Sequence, residues 1–203
     1  MIDRLSEIVG YDVPRETFEK LSAYSDLLTE GAKSQNLISS SSIPDLWVRH
    51  LFDSAQLVRH AKQGNWADIG SGAGLPGIIL AILSADSVTL IEPRRLRVEF
   101  LQSVVDLLDL PNVTILQGKS TTVGTVFDKI TGRAVAPAAD FFALAHHLSR
   151  LDTVWILPKG KSAQKELDEA RRTWQGEFRL EPSLTDPQAS ILLARGVRRR
   201  RTR

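Results

Sequence analysis

The segment Ala67-Asp68-Ile69-Gly70-Ser71-Gly72-Ala73-Gly74-Leu75-Pro76-Gly77 carries the strongest chemical signal in this 203-residue chain. Alternate glycines belong where a backbone turns sharply and must approach a ligand with no Cβ in the way. A helix opening near Pro76 presents unpaired N–H groups and a positive dipole end to a carboxylate, and Pro76 sits where its missing N–H costs least. These features suit the methionyl carboxylate of S-adenosylmethionine, the cofactor we expect. Gly72-x-Gly74-x-x-Gly77 also fits the dinucleotide fingerprint, so a nicotinamide cofactor is the rival. Asp68 argues against it, because a carboxylate at the strand end would repel a pyrophosphate. Asp68, Gly70, Gly72 and Gly74 are the expected cofactor residues of the turn. Glu92 follows 20 residues after Gly72, at a strand end where a carboxylate can accept hydrogen bonds from both ribose hydroxyls.

A turn of this kind needs a sheet and helices to hold it, and the pattern after Gly64 provides them. Asn65–Ile69, Ser87–Ile91, Asn112–Leu116, Phe127–Thr131 and Thr153–Leu157 read as strands. They alternate with helices running to Leu83 and over Arg94–Leu108, Ala138–Leu148 and Ser162–Trp174. Phe178–Glu181 and Ser190–Arg195 are two final strands. Such alternation predicts an α/β fold, a doubly wound parallel sheet with helices on both faces. The first sixty residues read as helical. Phe18, Leu21 and Leu28 stripe a helix from Pro14 to about Lys33, and Ser42 with Asp45 has capping-box spacing for a second. Three segments are expected: a helical extension (1–63), a cofactor domain (64–196) and a basic tail (197–203).

Composition narrows the chemistry. Without cysteine there is no thiol nucleophile and no Cys-ligated metal, and no metal site is expected. No apolar run approaches the roughly 18 residues that cross a membrane, and the N-terminus lacks a secretory pattern. The expectation is a cytoplasmic monomer with no membrane or DNA partner. Lys and Arg number 26 against 24 acidic residues. Six arginines fall in the last nine positions, so the remaining chain is net acidic. A terminal Arg cluster is either a phosphate contact or a solvated tail.

Taken together, Leu46-Trp47-Val48-Arg49-His50-Leu51-Phe52-Asp53-Ser54, the turn Asp68–Gly77, Glu92 with Arg97-Val98-Glu99-Phe100-Leu101, Gly132-Arg133-Ala134 and Lys159-Gly160 form an ordered series. It resembles the bacterial 16S ribosomal RNA guanine-N7 methyltransferase G family, also called glucose-inhibited division protein B, from about Asn36 to Gly160. The resemblance implies a Rossmann-like class I methyltransferase sheet, mostly parallel with an antiparallel last strand, S-adenosylmethionine as methyl donor, and 16S rRNA or the small ribosomal subunit as partner. It implies cofactor contacts at Gly70, Leu75, Ser120, Thr121 and Arg133. Gly118-Lys119-Ser120-Thr121 departs from the family, which usually shows a small residue followed by glutamate, so a backbone group or Thr121 must read the adenine. Gly132 stands where serine is usual.

Guanine N7 attacks with an in-plane lone pair and needs no deprotonation, so alignment and electrostatics matter more than a general base. His50, Asp53 and Ser54 share one helical face. They are either a polar cluster near the guanine or a buried group docking the helix, with Asp53 orienting His50. His50, Asp53 and Arg133 are the candidates for substrate positioning. Arg133, Lys159, Arg198, Arg199, Arg200 and Arg201 are the candidates for RNA contact. Arg94, Arg95 and Arg97 form a basic helix start that needs either phosphate or Glu99 to balance it. Phe141 and Phe142 either stack on a base or fill the core. Two other readings remain open at this point: an rRNA-binding assembly factor with a degenerate cofactor pocket, and a methyltransferase acting on a small molecule.

Overall fold

A computed structural model describes residues 1–60 and 62–200. Among them a seven-stranded sheet runs in the order β3-β2-β1-β4-β5-β7-β6. The strands are β1 (Trp66–Ile69), β2 (Val88–Glu92), β3 (Val113–Gln117), β4 (Phe127–Thr131), β5 (Ser149–Lys159), β6 (Trp174–Pro182) and β7 (Ser190–Arg199). Neighbours among β1–β5 pair in parallel, and β7 runs antiparallel to both β5 and β6. This is the expected α/β sheet with its antiparallel last strand. All four residues of β1 are buried, as a central strand covered on both faces requires.

Helices α1 (Ile2–Val9), α2 (Arg15–Ser34), α4 (Gly77–Leu83) and α5 (Arg95–Leu107) close one face. Their core includes Leu21, Leu28, Ile78, Leu101, Trp66 and Leu90. On the other face α6 (Ala138–Ala145) and α7 (Ala163–Thr173) enclose Phe141, Phe142, Trp155 and Trp174. The winding reverses where β1 lies between β2 and β4. In open α/β sheets ligands bind outside the C-terminal strand ends at this reversal.

The stretch expected as one capped helix after Ser42 is built differently. A wide π-type winding, Trp47–Phe52, passes into the short α3 (Asp53–Ala55) and then a 3-10 turn, Gln56–His60. Ser42 caps nothing. Its Oγ donates to the Ser39 carbonyl at 2.6 Å and meets His50 Nε2 at 2.8 Å, partners that outcompete a helix terminus.

The C-terminus also departs from expectation. β7 continues through Arg199, Val197 is buried, and the Arg200 amide donates to the Thr173 carbonyl at 2.9 Å. The first residues of the expected 197–203 tail are therefore strand, held by pairing with β6. Arg201 lies outside the described residues.

Candidate active site

The glycine turn after β1 is held from three sides. Gly70, Gly72 and Gly74 have φ of 67°, 60° and 94°, the left-handed region where L side chains are strained. From β2, Glu92 accepts the Gly72 amide at 2.8 Å with one oxygen and the Arg94 amide at 2.9 Å with the other. Each oxygen keeps a lone pair, so the residue is bound in place yet still able to accept from hydroxyls. From α2, the Tyr24 hydroxyl donates to the Ala73 carbonyl at 2.7 Å. Burial holds that phenol well above its ordinary pKa, so it remains a donor. Tyr24 was not picked out from the sequence. Its signal is a tyrosine on a buried helical face, whose hydroxyl must find a partner.

Asp68 takes a different place from the one its position suggested. It is fully buried, and its Oδ2 accepts the Gly77 amide, the first of α4, at 3.0 Å. Ile78 donates to the Gly74 carbonyl at 2.7 Å. The start of α4 is thus satisfied by the protein itself, and the expected carboxylate seat there is not available. The repulsion expected between Asp68 and a pyrophosphate also falls away, because the carboxylate lies beneath the turn rather than in the crevice. A cation does stand over the turn. The Arg97 Nη1 would lie 2.8 Å from a Cβ built on Gly72, while Nη2 donates to the Asn36 carbonyl at 3.0 Å. Of the three arginines opening α5, Arg95 pairs with Glu99 and Arg97 turns to the glycines. The Leu75 side chain packs in the first core.

Burial raises the Asp68 pKa to about 7, against the lowering pull of the Gly77 amide. The unfolded chain releases this proton near 3.8, so between these values the folded state holds more protons. Stability from this group is greatest below about pH 4, falls as pH rises through about 7, and then levels. Asp68→Asn is expected to flatten that fall, by a few kcal/mol on the order of the shift, when denaturant midpoints at pH 5 and pH 8 are compared with wild type. An unchanged difference between the two pH values would mean that Asp68 titrates normally.

The segment after β4 links the turn to a large cavity. Val135 Cγ2 lies 3.0 Å from the position of a Gly70 Cβ, and Val135 also lines a cavity of about 810 Å³ with Arg49, Asp53, Arg133, Lys159 and Thr185. Gly132 packs against Phe141 and, at 2.8 Å from a built Cβ, the Ile69 carbonyl. A side chain has no room there. Ala134 adopts φ 56°, and strained backbone of this kind collects at functional sites.

Arg133 is the hub of the cavity wall. It donates to the Arg49 carbonyl at 3.2 Å, meets His50 Nδ1 at 3.0 Å and lies 3.6 Å from Asp53 Oδ2. Burial, then Arg133 and Arg49, lower the His50 pKa to about 4. The imidazole is therefore neutral at physiological pH. With Nδ1 accepting from Arg133, the proton sits on Nε2 and is donated to Ser42. Asp53 does not orient His50; Arg133 stands between them. Ser54 is buried, and its Oγ has no hydrogen-bond partner among the described residues. The three polar residues thus divide, two to the arginine and one to the core.

Gln56, also not singled out from the sequence, locks the opposite wall. It is 1% exposed. Its Nε2 donates to Asp53 Oδ1 at 2.9 Å and Ser183 Oγ at 3.1 Å, and its Oε1 accepts the Leu184 amide at 2.8 Å. Thr185 adds a bond to Asp53 Oδ1 at 3.0 Å. Gln56→Ala strands these groups and is expected to cost about 2 kcal/mol. It should open the β6–β7 connection to proteases, and limited proteolysis around Ser183–Gln188 reads this directly. Cleavage no faster than wild type would show that the loop is held by other means.

Other expected site residues are placed as follows. Ser120 is buried, and its Oγ donates to the Leu144 carbonyl at 3.1 Å, while Thr121 is exposed. The Ser120 side chain is therefore committed to α6. Lys159 is no surface lysine: its side chain is 9% exposed, 3.0 Å from Glu166 Oε2, and donates to the Ala136 carbonyl at 2.9 Å. Phe141 and Phe142 are core residues set edge-on to Trp155. Arg198, Arg199 and Arg200 lie away from the crevice, along the far end of β7 and just beyond it. Among the described residues no cluster suits a metal ion, and no described helix is long and apolar enough to cross a membrane.

The fold is shared with a crystal structure of an MtNAS mutant in complex with S-adenosylmethionine (TM-score 0.61, 18% identity, 87% of this chain and 74% of that one). "Ribosomal RNA small subunit methyltransferase G" of Zymomonas mobilis is 44% identical over 192 residues, covering 90% of this chain and 87% of its own length. The protein of the same name from Rhizorhabdus wittichii is 39% identical over 194 residues, covering 93% and 89%. The family model for GidB, rRNA small subunit methyltransferase G, matches residues 17–191, and the chain belongs to that family.

Proposed function

We propose that this protein transfers the methyl group of S-adenosylmethionine to N7 of a guanine in small-subunit (16S) rRNA. The observation that carries the reading is the shared wall at Val135. One segment touches the glycine turn at Gly70 and lines the 810 Å³ cavity, so a cofactor over the turn and a base in the cavity meet at one edge.

The residues of the crevice fit this cofactor. Glu92 has acceptor capacity for the ribose hydroxyls, the bare turn admits close approach, and Arg97 supplies the cation for the methionyl carboxylate. The adenine falls to the backbone around Ser120 and Thr121, since the Ser120 hydroxyl is engaged elsewhere. When bound, S-adenosylmethionine supplies an electrophilic methyl group on a sulfonium.

The chain's own work is positional. Attack by N7 removes no proton, which suits a site where the imidazole beside Arg133, that of His50, is neutral and hydrogen-bonded to Arg133 and Ser42. Arg133, braced by His50, the Arg49 carbonyl and Asp53, offers directed N–H groups to the base or its phosphate. The ring gains positive charge in the reaction, and Asp53 and Glu166 in the cavity wall accommodate it. The extruded guanine costs a few kcal/mol of unstacking, which contacts in the cavity must return.

Tritiated S-adenosylmethionine incubated with small ribosomal subunits from cells lacking this protein tests the reading. Label is expected in rRNA, with none in ribosomal protein. Tight cofactor binding without label on subunits, precursor particles or free rRNA would contradict it and favour an assembly role.

A further inference from the structure

The arginine-rich end of β7 faces away from the cofactor crevice. Ser190 opens β7, lines the cavity and pairs with Lys159 at the C-terminal end of β5. The strand then descends antiparallel to β5 for ten residues, so Arg199 lies about 30 Å away at roughly 3.3 Å per residue. Helix α7 makes the same descent and ends in Arg171 and Arg172. Arg200 ties the two ends together, its amide donating to the Thr173 carbonyl at 2.9 Å and its Nε to the Trp174 carbonyl at 3.3 Å. Arg171, Arg172, Arg198, Arg199 and Arg200 are all exposed on this one corner.

The local chain is shaped to present them. Pairing of β6 with β7 shifts register between Gln175 and Glu177, and Gly196 takes φ 60°. This bulge adds one residue, so Ala194 and Val197, three apart, both reach the second core. Without it Val197 would face the opposite side of the sheet. The Arg199 guanidinium lies over the Trp174 ring, 5.5 Å from its centroid, held by stacking with its charge intact. Among the described residues only Arg171 of the five has a carboxylate partner, Asp168 at 3.6 Å. Four uncompensated guanidinium groups on one corner of a chain that is otherwise net acidic call for an anion with repeated charges.

We propose that this corner is a second rRNA contact, binding phosphates about 30 Å from the guanine held in the cavity. It sets affinity for the ribosomal particle and leaves the transfer step untouched. The inference rests on the rRNA reading above. Phosphate contacts supply salt-dependent affinity and register without reading bases, which suits a surface whose Trp174 is buried and covered by Arg199.

The test uses the full chain carrying Arg171→Gln, Arg172→Gln and Arg198→Gln, which spares the Trp174 stack and the backbone ties of Arg200. Methyl transfer is measured on unmethylated small subunits and on a guanine-containing oligoribonucleotide too short to span both sites. KM for subunits is expected to rise about tenfold, and its logarithmic salt slope to fall by about 2. The kcat and the oligonucleotide KM should hold, and lysines at the three positions should restore the subunit KM. Unchanged KM and slope on subunits would overturn the proposal, as would an equal loss on the oligonucleotide. Charge-dependent binding to phosphatidylserine vesicles with subunit KM unchanged would overturn it in favour of a membrane surface. No transfer by the wild type to either substrate would overturn the rRNA reading itself, and this proposal with it.

Discussion

Gly77→Ala is expected to destabilise the protein by about 4 kcal/mol and to weaken S-adenosylmethionine binding at least tenfold. A Cβ at this position would lie 2.2 Å from Leu90 Cδ2 and 2.6 Å from Asp68 Oδ2. Neither neighbour has space to withdraw, since Leu90 and Asp68 are both fully buried. Overpacking accounts for part of the loss. The rest comes from the displaced carboxylate, which would give up the Gly77 amide while its Oδ1 already has no hydrogen-bond partner among the described residues. Moving Asp68 moves the start of α4 and the turn above it, so cofactor affinity falls together with stability. Gly160→Ala is the matched control, because a Cβ there meets nothing within 4 Å. Thermal unfolding and titration calorimetry read both effects. Wild-type stability in Gly77→Ala would show that the packing beneath the turn is slack.

Arg133→Ala should lower kcat on small subunits by about 100- to 1,000-fold, the range for loss of one preorganised donor. The side chain is 20% exposed and contacts three groups that fix its direction. Lysine cannot reproduce that fork and should rescue poorly. A second readout separates positioning from general damage. Arg133 lowers the His50 pKa, so its removal should raise the imidazole titration followed by NMR. A kcat within threefold of wild type would remove Arg133 from the positioning machinery, whatever happened to His50.

The sheet was legible in the sequence because short segments with apolar residues at their centres alternate with helical stretches, although β5 (Ser149–Lys159) runs well beyond the expected Thr153–Leu157. Phe127–Thr131 matches the observed β4 end for end. The glycine turn and Glu92 were legible for a related reason: left-handed φ values demand glycine, and a carboxylate at a strand end three residues before the helix starts at Arg95 has few other uses. What escaped were residues whose partners lie far along the chain. Gln56 meets Ser183 and Leu184 more than 120 positions away, and nothing local to Gln56 announces that loop. Asp68 showed its type but not its direction, because burial beneath the turn depends on how α4 packs on β2. The winding from Trp47 to His60 kept its helical periodicity in sequence, yet no single helix forms, since His50 and Asp53 are both drawn to Arg133. The basic C-terminus was evident as charge. Its distance from the crevice became visible only once β7 was seen to continue past Arg195 through Arg199.

The most direct test of the central claim is the identity of the methylated nucleoside. Small subunits labelled by this protein with tritiated S-adenosylmethionine should yield, after digestion of their rRNA, label only in 7-methylguanosine, mapping to one site and lost with Arg133→Ala. Label in any other nucleoside, or 7-methylguanosine spread over many sites, would contradict the assignment of the Arg133 cavity as the seat of a single guanine.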